Sequence, residues 1–405
     1  MSKKIKVYNA YFGDCIVLED TNDGSNLLVD FGIHYFSDVP YIYGKRDGLT
    51  HAIADHIINC YADGNTSLLI THFHEDHISG LIHMYKNGRM NHKRIFNNVY
   101  IANIWNNSFA VASCLLEEML LEYELRKSSL PRTTVSLFDL LDFLSTDVYR
   151  IKLLKRGDLF ENGKYVTLWP VIDEDDKMNN ISEIIQSLGL TESNFEDELV
   201  LLAENLCNFV TQILLDYNRR YSESNENLYI SRTIHGMRQT YNDLLFNLEK
   251  NILDFEKYDL LNVQKEKLNK LNHKYNIVFQ NNIFGNENVL FTGDIEVKQM
   301  NEIAKANDII LHNKYKYIKI PHHGTKAHYF DFSKYKPKYV IITNGKVITK
   351  DLDSYKISSG YGRLKAIHLC ANSNHCSNCC GSCRTASNIC ANHRKLVYGS
   401  LYQII

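Results

Sequence analysis

The stretch SLLITHFHEDHISGL, residues 67–81, places an apolar strand pattern directly before a cluster of metal-binding side chains. His72, His74, Asp76 and His77 fall within six positions. Neutral imidazoles and carboxylates are common protein ligands of divalent metal ions. Successive strand side chains point to opposite faces, so His72 and His74 face the same way, whereas Asp76 and His77 follow the bend. One loop could therefore supply two adjacent metal positions.

The segments around this loop alternate between strand and helix patterns. Strands are predicted at 4–19 (two of them), 26–32, 66–74, 93–103, 154–171 (a hairpin turning at 161–163), 275–282, 287–294, 315–324 and 337–345. Helices are predicted at 51–62, after the histidine cluster, within 107–147 and at 295–306. Loops that follow strand carboxyl ends carry the chemistry of many α/β proteins, and the histidine cluster lies on such a loop.

A long polar segment with helical spacing, 181–272, interrupts this strand-rich pattern. It contains no proline and almost no glycine, which favours continuous helices. We interpret it as a helical insertion that separates the two halves of one domain, 1–180 and 273–350, from each other. A cysteine-rich tail at 351–405 follows the second half. Its apolar stripes are expected to pack its own helices, and could also cover the cleft or bind a protein partner or a second copy.

Two later strand patterns also end in side chains that bind metals. VLFTGD places Asp294 after Gly293, and YIKIPHHG places His322 and His323 before Gly324. Asp294 alone would be interpreted as a turn or helix cap. Three strand-end clusters in one chain indicate a metal site more strongly than any one of them does.

The order HxHxDH, TGD, HHG, after GDCIVLE and LLVDFG, resembles the metallo-β-lactamase-fold hydrolases, and it is similar to the subgroup of the ComEC competence hydrolase domain. The resemblance covers residues 4–104, 154–171 and 275–345, and implies an αββα sandwich with two divalent ions, zinc or manganese, in a cleft. It implies that Asp76 and Asp294 are catalytic and that Asp30 braces the site. The implied ligands are His72, His74, Asp76, His77, Asp294 and one or both of His322 and His323.

One position departs from the family pattern. The family commonly supplies a further histidine from a strand near the middle of the chain, and the equivalent strand KYVTLWP has Trp169 there. His235 and His273 are candidates to replace that ligand. Without a replacement, the first metal would have His72, His74 and Asp294, which is still sufficient for a catalytic zinc with an open position.

The resemblance implies hydrolysis by a metal-bound hydroxide. We expect a phosphodiester substrate, either a nucleic acid or a nucleotide, because TGD and HHG resemble the nuclease-like subgroup. Two alternatives stay open: hydrolysis of thioesters or lactones, and a catalytically weakened module that uses metal for stability while it binds or senses a partner.

Six of the ten cysteines fall within 21 positions, and they are Cys370, Cys376, Cys379, Cys380, Cys383 and Cys390. CxxC pairs hold two thiolates at the spacing that tetrahedral zinc accepts, and three histidines, His368, His375 and His393, are interleaved. We expect a structural zinc here. The alternatives are a set of reduced, exposed thiols or a redox-responsive tail.

Composition excludes several classes of protein. The 405 residues are 44 % hydrophobic with a formal net charge of −2, which is typical of a folded chain and carries no overall basic field for nucleic acid, although a local basic groove could exist. The amino terminus lacks the apolar core of a signal peptide, and no run of about 18 apolar residues occurs. A cytoplasmic location is therefore expected.

Overall fold

The structure is a computed structural model that describes most of the chain. The described residues are 3–10, 13–33, 48–62, 64–87, 95–127, 135–145, 150–171, 178–190, 194–215, 224–252, 258–343, 358, 360–361, 364–370, 394–395 and 402–404. The chain divides into two compact units. The first comprises Met1–Ala102, Leu153–Pro170 and Asn276–Ile405, and the second comprises Asn103–Lys152 and Val171–Tyr275.

One mixed sheet has seven strands among the described residues. They are β1 Lys3–Tyr8, β2 Ile16–Asp20, β3 Asn26–Val29, β4 Thr66–Ile70, β5 Asn98–Ala102, β6 Arg150–Leu154 and β15 Tyr402–Ile404. Their order in the sheet is β15-β1-β2-β3-β4-β5-β6, in which β1, β2 and β3 pair antiparallel and β3, β4 and β5 pair parallel. The parallel strands are almost completely buried, which explains their continuous apolar sequences.

A second mixed sheet has eight strands in the described part of the chain. They are β7 Leu159–Phe160, β8 Tyr165–Trp169, β9 Val278–Asn281, β10 Val289–Phe291, β11 Tyr317–Lys319, β12 Tyr339–Ile342, β13 Ile367–Cys370 and β14 Arg394–Lys395. Their order in the sheet is β14-β13-β12-β11-β10-β9-β8-β7, in which β7 to β10 pair antiparallel and β10 to β14 pair parallel.

The two sheets pack face to face. Lys3 Nζ of β1 donates to Tyr165 Oη of β8 at 3.1 Å, and the rings of Tyr100 on β5 and Phe160 on β7 lie 5.0 Å apart. Phe160 also stacks with Tyr165 inside this layer, at 5.3 Å between ring centroids. The first unit is therefore an α/β structure with a shared core between two mixed sheets, consistent with an αββα sandwich.

The described part of the first unit has three α-helices: α1 Gly48–Tyr61, α2 Glu75–Lys86 and α9 Val297–Lys305. Helices α1 and α2 pack against each other. A Cβ at Gly80 of α2 would lie 2.4 Å from the ring of Phe31, so only glycine allows α2 to approach the end of β3 this closely. Met300 and Ile303 of α9 join the core of the second sheet.

The second unit is helical. Its described helices are α3 Ser108–Lys127, α4 Leu137–Ser145, α5 Met178–Ser187, α6 Phe195–Asn208 with a π-helical continuation at Phe209–Leu214, α7 Ser224–Asn251 and α8 Tyr258–His273. Helix α3 packs against α6 and α8, and α7 packs against α4 and α6. The predicted insertion is thus helical, and it shares its unit with α3 and α4, which the sequence interpretation grouped with the first half of the hydrolase domain.

The predicted elements are present in the structure with different lengths, and four strands that were not predicted, β6, β13, β14 and β15, join them. The hairpin turn at Glu161, Asn162 and Gly163 has φ values of 49°, 54° and 80°. Strand β11 ends at Lys319, earlier than the predicted 324, because the following residues form a 3₁₀ turn at His322–Gly324. Within the cysteine-rich tail, the structure describes β13 and β14 but not the segment 371–393.

Candidate metal centre

The candidate ligands follow the carboxyl ends of three strands, β4, β10 and β11, and Asp30 follows β3. Strands β3 and β4 are parallel neighbours in the first sheet, and β10 and β11 are parallel neighbours in the second. Side chains after neighbouring parallel strands meet at one edge of a sheet. The two edges also meet each other, since His77 Nε2 after β4 lies 3.4 Å from Asp294 Oδ2 after β10.

Four of the predicted ligands form one compact group: Asp76, His77, Asp294 and His323. Each offers one ligand atom, and these atoms all lie within 4.8 Å of one another. His323 Nε2 donates to Asp76 Oδ2 at 2.9 Å and lies 3.5 Å from Asp294 Oδ2. Ligands of zinc stand about 2.0–2.2 Å from the ion, so this group needs only small adjustments to surround one.

His77 is oriented as a metal ligand. Its Nδ1 donates to Asp30 Oδ2 at 2.8 Å, which directs Nε2 towards Asp76 and Asp294. Nε2 is buried and has no hydrogen-bond partner among the described residues. A ring nitrogen held by a carboxylate on one side and unsatisfied on the other is the usual arrangement of a histidine that binds metal. The donor set therefore fits a divalent ion.

Charges within the group shift the pKa values of its members. Burial opposes the charged imidazole of His77, but Asp294, Asp76 and Asp30 outweigh burial and hold its pKa well above the usual value. Burial likewise opposes ionisation of Asp76 and Asp294. His77 and His323 nevertheless hold the pKa of both carboxyl groups well below their usual range, with help from Lys319 at Asp294. Without metal the group is thus a network of paired opposite charges.

Asp30 braces the loop that carries the ligands. Its Oδ1 accepts the Thr71 backbone N–H at 2.7 Å, and its Oδ2 accepts the Thr71 hydroxyl at 2.7 Å as well as His77 Nδ1. Asp30 is completely buried, and burial raises its pKa. Its φ of 55° is a left-handed conformation that aspartate tolerates better than most residues. These contacts hold the ligand loop, and the role of Asp30 beside a bound metal stays a prediction.

His72 and His74 form a pair beside this group. His72 Nε2 lies 3.1 Å from His74 Nδ1, so both rings turn towards one point as the two-residue spacing predicts. The ring of His72 is 3.9 Å from that of His77, which makes the pair a direct neighbour of the four-residue group. His72 is buried and His74 is half-buried.

Trp169 is part of the hydrophobic core. It lies at the end of β8 and is buried among apolar residues of the second sheet, including Leu168, Val278 and Leu290. It therefore supplies packing at the position where the family pattern has a ligand. The two candidate replacements belong to the second unit: His273 is buried at the end of α8, and His235 is exposed on α7. Whether either binds the metal stays a prediction.

His322 and His323 have different surroundings. His323 belongs to the four-residue group, and its Nδ1 lies 3.0 Å from the Thr343 hydroxyl. His322 Nδ1 lies 2.9 Å from Thr325 Oγ1, and its ring stacks on that of His328 at 4.0 Å. His322 Nε2 is 3.7 Å from Asp294 Oδ2, and 19 % of its side chain is exposed. His323 is thus the better ligand candidate of the two, and His322 lies at the rim.

Sequence reasoning missed two charged residues at this site, Asp14 and Lys319. Lys319 Nζ lies 2.6 Å from Asp14 Oδ2 and 3.3 Å from Asp294 Oδ1, and it donates to the Gly293 carbonyl at 3.2 Å. Burial lowers the pKa of Lys319, but Asp14 and Asp294 outweigh it and raise that pKa above the usual value. Lysine is rarely buried without a charged partner, so its place in the apolar strand YIKIP was the available signal.

Lys319 determines which oxygen of Asp294 faces the ligand group. Oδ1 of Asp294 points to Lys319, whereas Oδ2 lies 3.4–3.7 Å from His77, His322 and His323. Asp14 lies on the side of the two histidines that faces away from Asp294: its Oδ1 is 3.6 Å from His323 Nδ1 and its Oδ2 is 3.8 Å from His77 Nδ1. Lys319 and Asp14 together therefore hold the Asp294 carboxylate in one orientation.

The backbone is also specialised at this site. His322 and His323 have φ values of 44° and 54°, a left-handed conformation that costs a non-glycine residue about 1–3 kcal/mol. A Cβ at Gly32 would lie 2.1 Å from the Asp76 carbonyl carbon and 2.2 Å from the His77 nitrogen. Glycine at position 32 therefore lets the end of β3 pass directly beneath the ligand loop.

Comparison of the sequence with models of known protein families and with curated proteins gives no match. In the part of the chain that the structure describes, no helix combines the length and the apolar character needed to cross a membrane.

The predicted structural zinc site lies outside the described residues, apart from the backbone of Cys370 in β13. The cysteines with described side chains are Cys15, Cys60, Cys114 and Cys207, and all four are free. The zinc in the tail therefore stays a prediction.

Proposed function

We propose that the chain is a metal-dependent hydrolase of the metallo-β-lactamase type, and that it cleaves phosphodiester bonds. The observation that carries this proposal is His77, whose Nδ1 is held by Asp30 and whose buried, unsatisfied Nε2 faces two carboxylates. Without metal, this nitrogen has only ionic contacts, with Asp294 at 3.4 Å and Asp76 at 3.9 Å, and both are longer than a good hydrogen bond. A metal ion bound between these side chains would give the nitrogen a direct partner.

Two divalent ions, with zinc expected and manganese the alternative, would be held by the loops described above. Asp76, His77, Asp294 and His323 would hold one ion, and His72 and His74, with Asp294, would hold the other. Ions bound there would lower the pKa of a water molecule and neutralise charge on the attacked phosphate. His77 must lose its proton to become a ligand, so its raised pKa predicts that binding releases a proton and strengthens as the pH rises.

The charge of the site favours an anionic substrate. Four carboxylates, those of Asp14, Asp30, Asp76 and Asp294, surround the single ammonium of Lys319, which gives a formal charge of about −3 when the imidazoles are neutral. Two divalent ions would bring the site to about +1 before a water molecule loses its proton. That charge would attract a phosphodiester monoanion, whereas a neutral lactone or thioester gains no such attraction.

The chain's own residues would orient the reaction. The Asp76 carboxylate is half-buried at the edge of the group and can orient the attacking water through a hydrogen bond. Asp294 presents one oxygen to the ligand group because Lys319 holds the other. His322 at the rim would donate a hydrogen bond to a phosphate oxygen, since its other nitrogen is engaged by Thr325.

The test is to measure metal content and hydrolysis of bis-p-nitrophenyl phosphate in the same preparations. His77→Ala and Asp294→Ala should lose cleft metal and more than about 100-fold of the rate, since even partners behind the ligands cost about 10–100-fold. His312→Gln is the matched control. His312 precedes β11, at the opposite end of that strand from the ligands, and its ring donates a hydrogen bond to the Asn281 carbonyl. Unchanged rates in both ligand variants would refute the proposal.

The same measurements distinguish a weakened binding module, which the packing of Trp169 in the core favours. Metal in the cleft together with turnover supports the hydrolase. Metal confined to the cysteine-rich tail, with no turnover of phosphodiester, thioester or lactone substrates, would support the binding module instead.

A further inference from the structure

Lysines cluster at the end of the second sheet that lies opposite the candidate ligands. Strands β11, β12 and β13 are parallel neighbours, so their amino ends share one edge. Six lysines lie at or just before these amino ends, and we call them the lysine edge: Lys314, Lys316, Lys334, Lys336, Lys338 and Lys365.

Backbone hydrogen bonds tie the segments of the lysine edge together. The Tyr339 N–H donates to the Lys316 carbonyl at 2.8 Å, and the Lys338 N–H donates to the Tyr315 carbonyl at 3.1 Å. The Ile367 N–H donates to the Lys338 carbonyl at 2.9 Å, which brings the segment of Lys365 alongside. Neighbouring strands are about 4.8 Å apart, so the ammonium groups of the lysine edge share one surface.

The positive charge of this surface is poorly compensated. Lys314, Lys334, Lys336, Lys338 and Lys365 are exposed, and Lys316 is half-buried. Of these six, only Lys316 has a carboxylate partner within 4.0 Å among the described residues, and that partner is Glu287. Like charges side by side on neighbouring strands are destabilising. A concentration of positive charge in a chain of formal net charge −2 therefore indicates an anionic partner.

Tyrosine rings order the lysine side chains. The ammonium groups of Lys316, Lys334 and Lys338 lie 5.0, 4.8 and 5.4 Å from the ring centroids of the tyrosines that follow them in sequence. The rings of Tyr317 and Tyr339 stack on each other at 5.1 Å. Cation–π contacts restrict the flexible lysine stems, which lowers the entropy lost when they bind phosphates.

We propose that the lysine edge binds the phosphate backbone of a single nucleic-acid strand, independently of sequence. This deepens the proposed function, because the substrate would then be a polymer and not a free nucleotide. Lys316 and His322 are six residues apart, and an extended chain of that length spans at most about 20 Å at 3.3 Å per residue. A stacked nucleic-acid strand, at about 3.4 Å per nucleotide, therefore needs no more than about six nucleotides to contact both.

The test uses the full chain and a fluorescent 20-nucleotide phosphorothioate strand that resists cleavage, with binding measured by anisotropy at 50 and 200 mM salt. The variant combines Lys314→Gln, Lys334→Gln, Lys338→Gln and Lys365→Gln. We expect at least tenfold weaker binding at 50 mM salt and a salt slope smaller by about 0.7 for each lost contact. Circular dichroism spectra should be unchanged, because these side chains are exposed.

The control variant makes the same charge change at four exposed lysines elsewhere, Lys250, Lys267, Lys298 and Lys305, and should bind as the parent protein does. Equal weakening in both variants would show a general charge effect and would overturn the proposal. The proposal would also be overturned if the parent protein did not bind the strand, or if it bound only vesicles containing phosphatidylserine.

Hydrolysis of bis-p-nitrophenyl phosphate separates this inference from the proposed function. The lysine-edge variant should hydrolyse this small substrate at the parent rate, since the substrate is too short to contact that surface. If the parent binds the strand but hydrolyses no phosphodiester, the proposed function fails and the binding surface stands. If the parent hydrolyses the small substrate but binds no strand, the proposed function stands and the lysine edge is not a binding surface for nucleic acid.

Discussion

Replacing Lys319 with methionine tests the buried charge network behind the candidate ligands. Lys319→Met keeps the apolar stem but removes the ammonium that lies 2.6 Å from Asp14 and 3.3 Å from Asp294. Loss of one partner from a buried ion pair costs about 3–5 kcal/mol, because the remaining charge is left without compensation. We therefore expect the metal-free variant to lose about 3–5 kcal/mol of its free energy of unfolding.

The pH dependence follows from the raised pKa of Lys319. A basic group whose pKa is higher in the folded state stabilises that state fully below its unfolded value of 10.5, and the contribution is lost as the pH rises through the folded value. The difference between parent and variant should therefore be constant from about pH 6 to pH 9 and should shrink only in stronger alkali.

The assay is urea unfolding of metal-free protein followed by circular dichroism. Lys316→Met is the matched control, because Lys316 is half-buried and pairs with Glu287 near the surface, where such a pair contributes about 0–1 kcal/mol. The double variant Lys319→Met with Asp14→Asn should recover part of the loss, since one uncompensated carboxylate is then removed. A loss no larger than in Lys316→Met, or no recovery in the double variant, would refute the reasoning.

Three further predictions concern the ligand loops. Asp30→Asn should weaken binding of cleft metal about 10–100-fold by calorimetry, because His77 loses its carboxylate partner. Gly32→Ala should abolish that binding, since its Cβ would lie 2.1 Å from the Asp76 backbone, whereas Gly236→Ala, with open space in α7, should bind metal normally. His323→Ala should lower the number of metals per chain and His322→Ala should lower only turnover. Equal metal loss in both histidine variants would contradict the assignment of His322 to the rim.

Local sequence was sufficient to predict the elements around the site. Apolar runs that end in HFHEDH, TGD and PHHG predicted strands followed by ligand loops, and β4, β10 and β11 have that form. Such predictions work because side-chain period and strand punctuation are properties of neighbouring residues.

The division of the helical region could not be predicted in the same way. Helices α3 and α4 are buried on most of their faces, and nothing in an apolar helical sequence states which other helices will cover those faces. In the structure they share a unit with α6, α7 and α8. Partner choice among helices depends on contacts between residues far apart in sequence, which a local pattern does not record.

The sequence by itself determined which side chains of this protein can bind metal and which strands carry them. Only the tertiary structure decided that Asp76, His77, Asp294 and His323 meet, that His322 turns to Thr325, and that Lys319 and Asp14 hold Asp294 from behind. The physical reason is that ligand geometry and buried charge pairing depend on distances across two sheets, between residues as far apart as 14 and 319. A lysine in an apolar strand is only an anomaly in the sequence, and it acquires a role when its partners are brought within hydrogen-bonding distance.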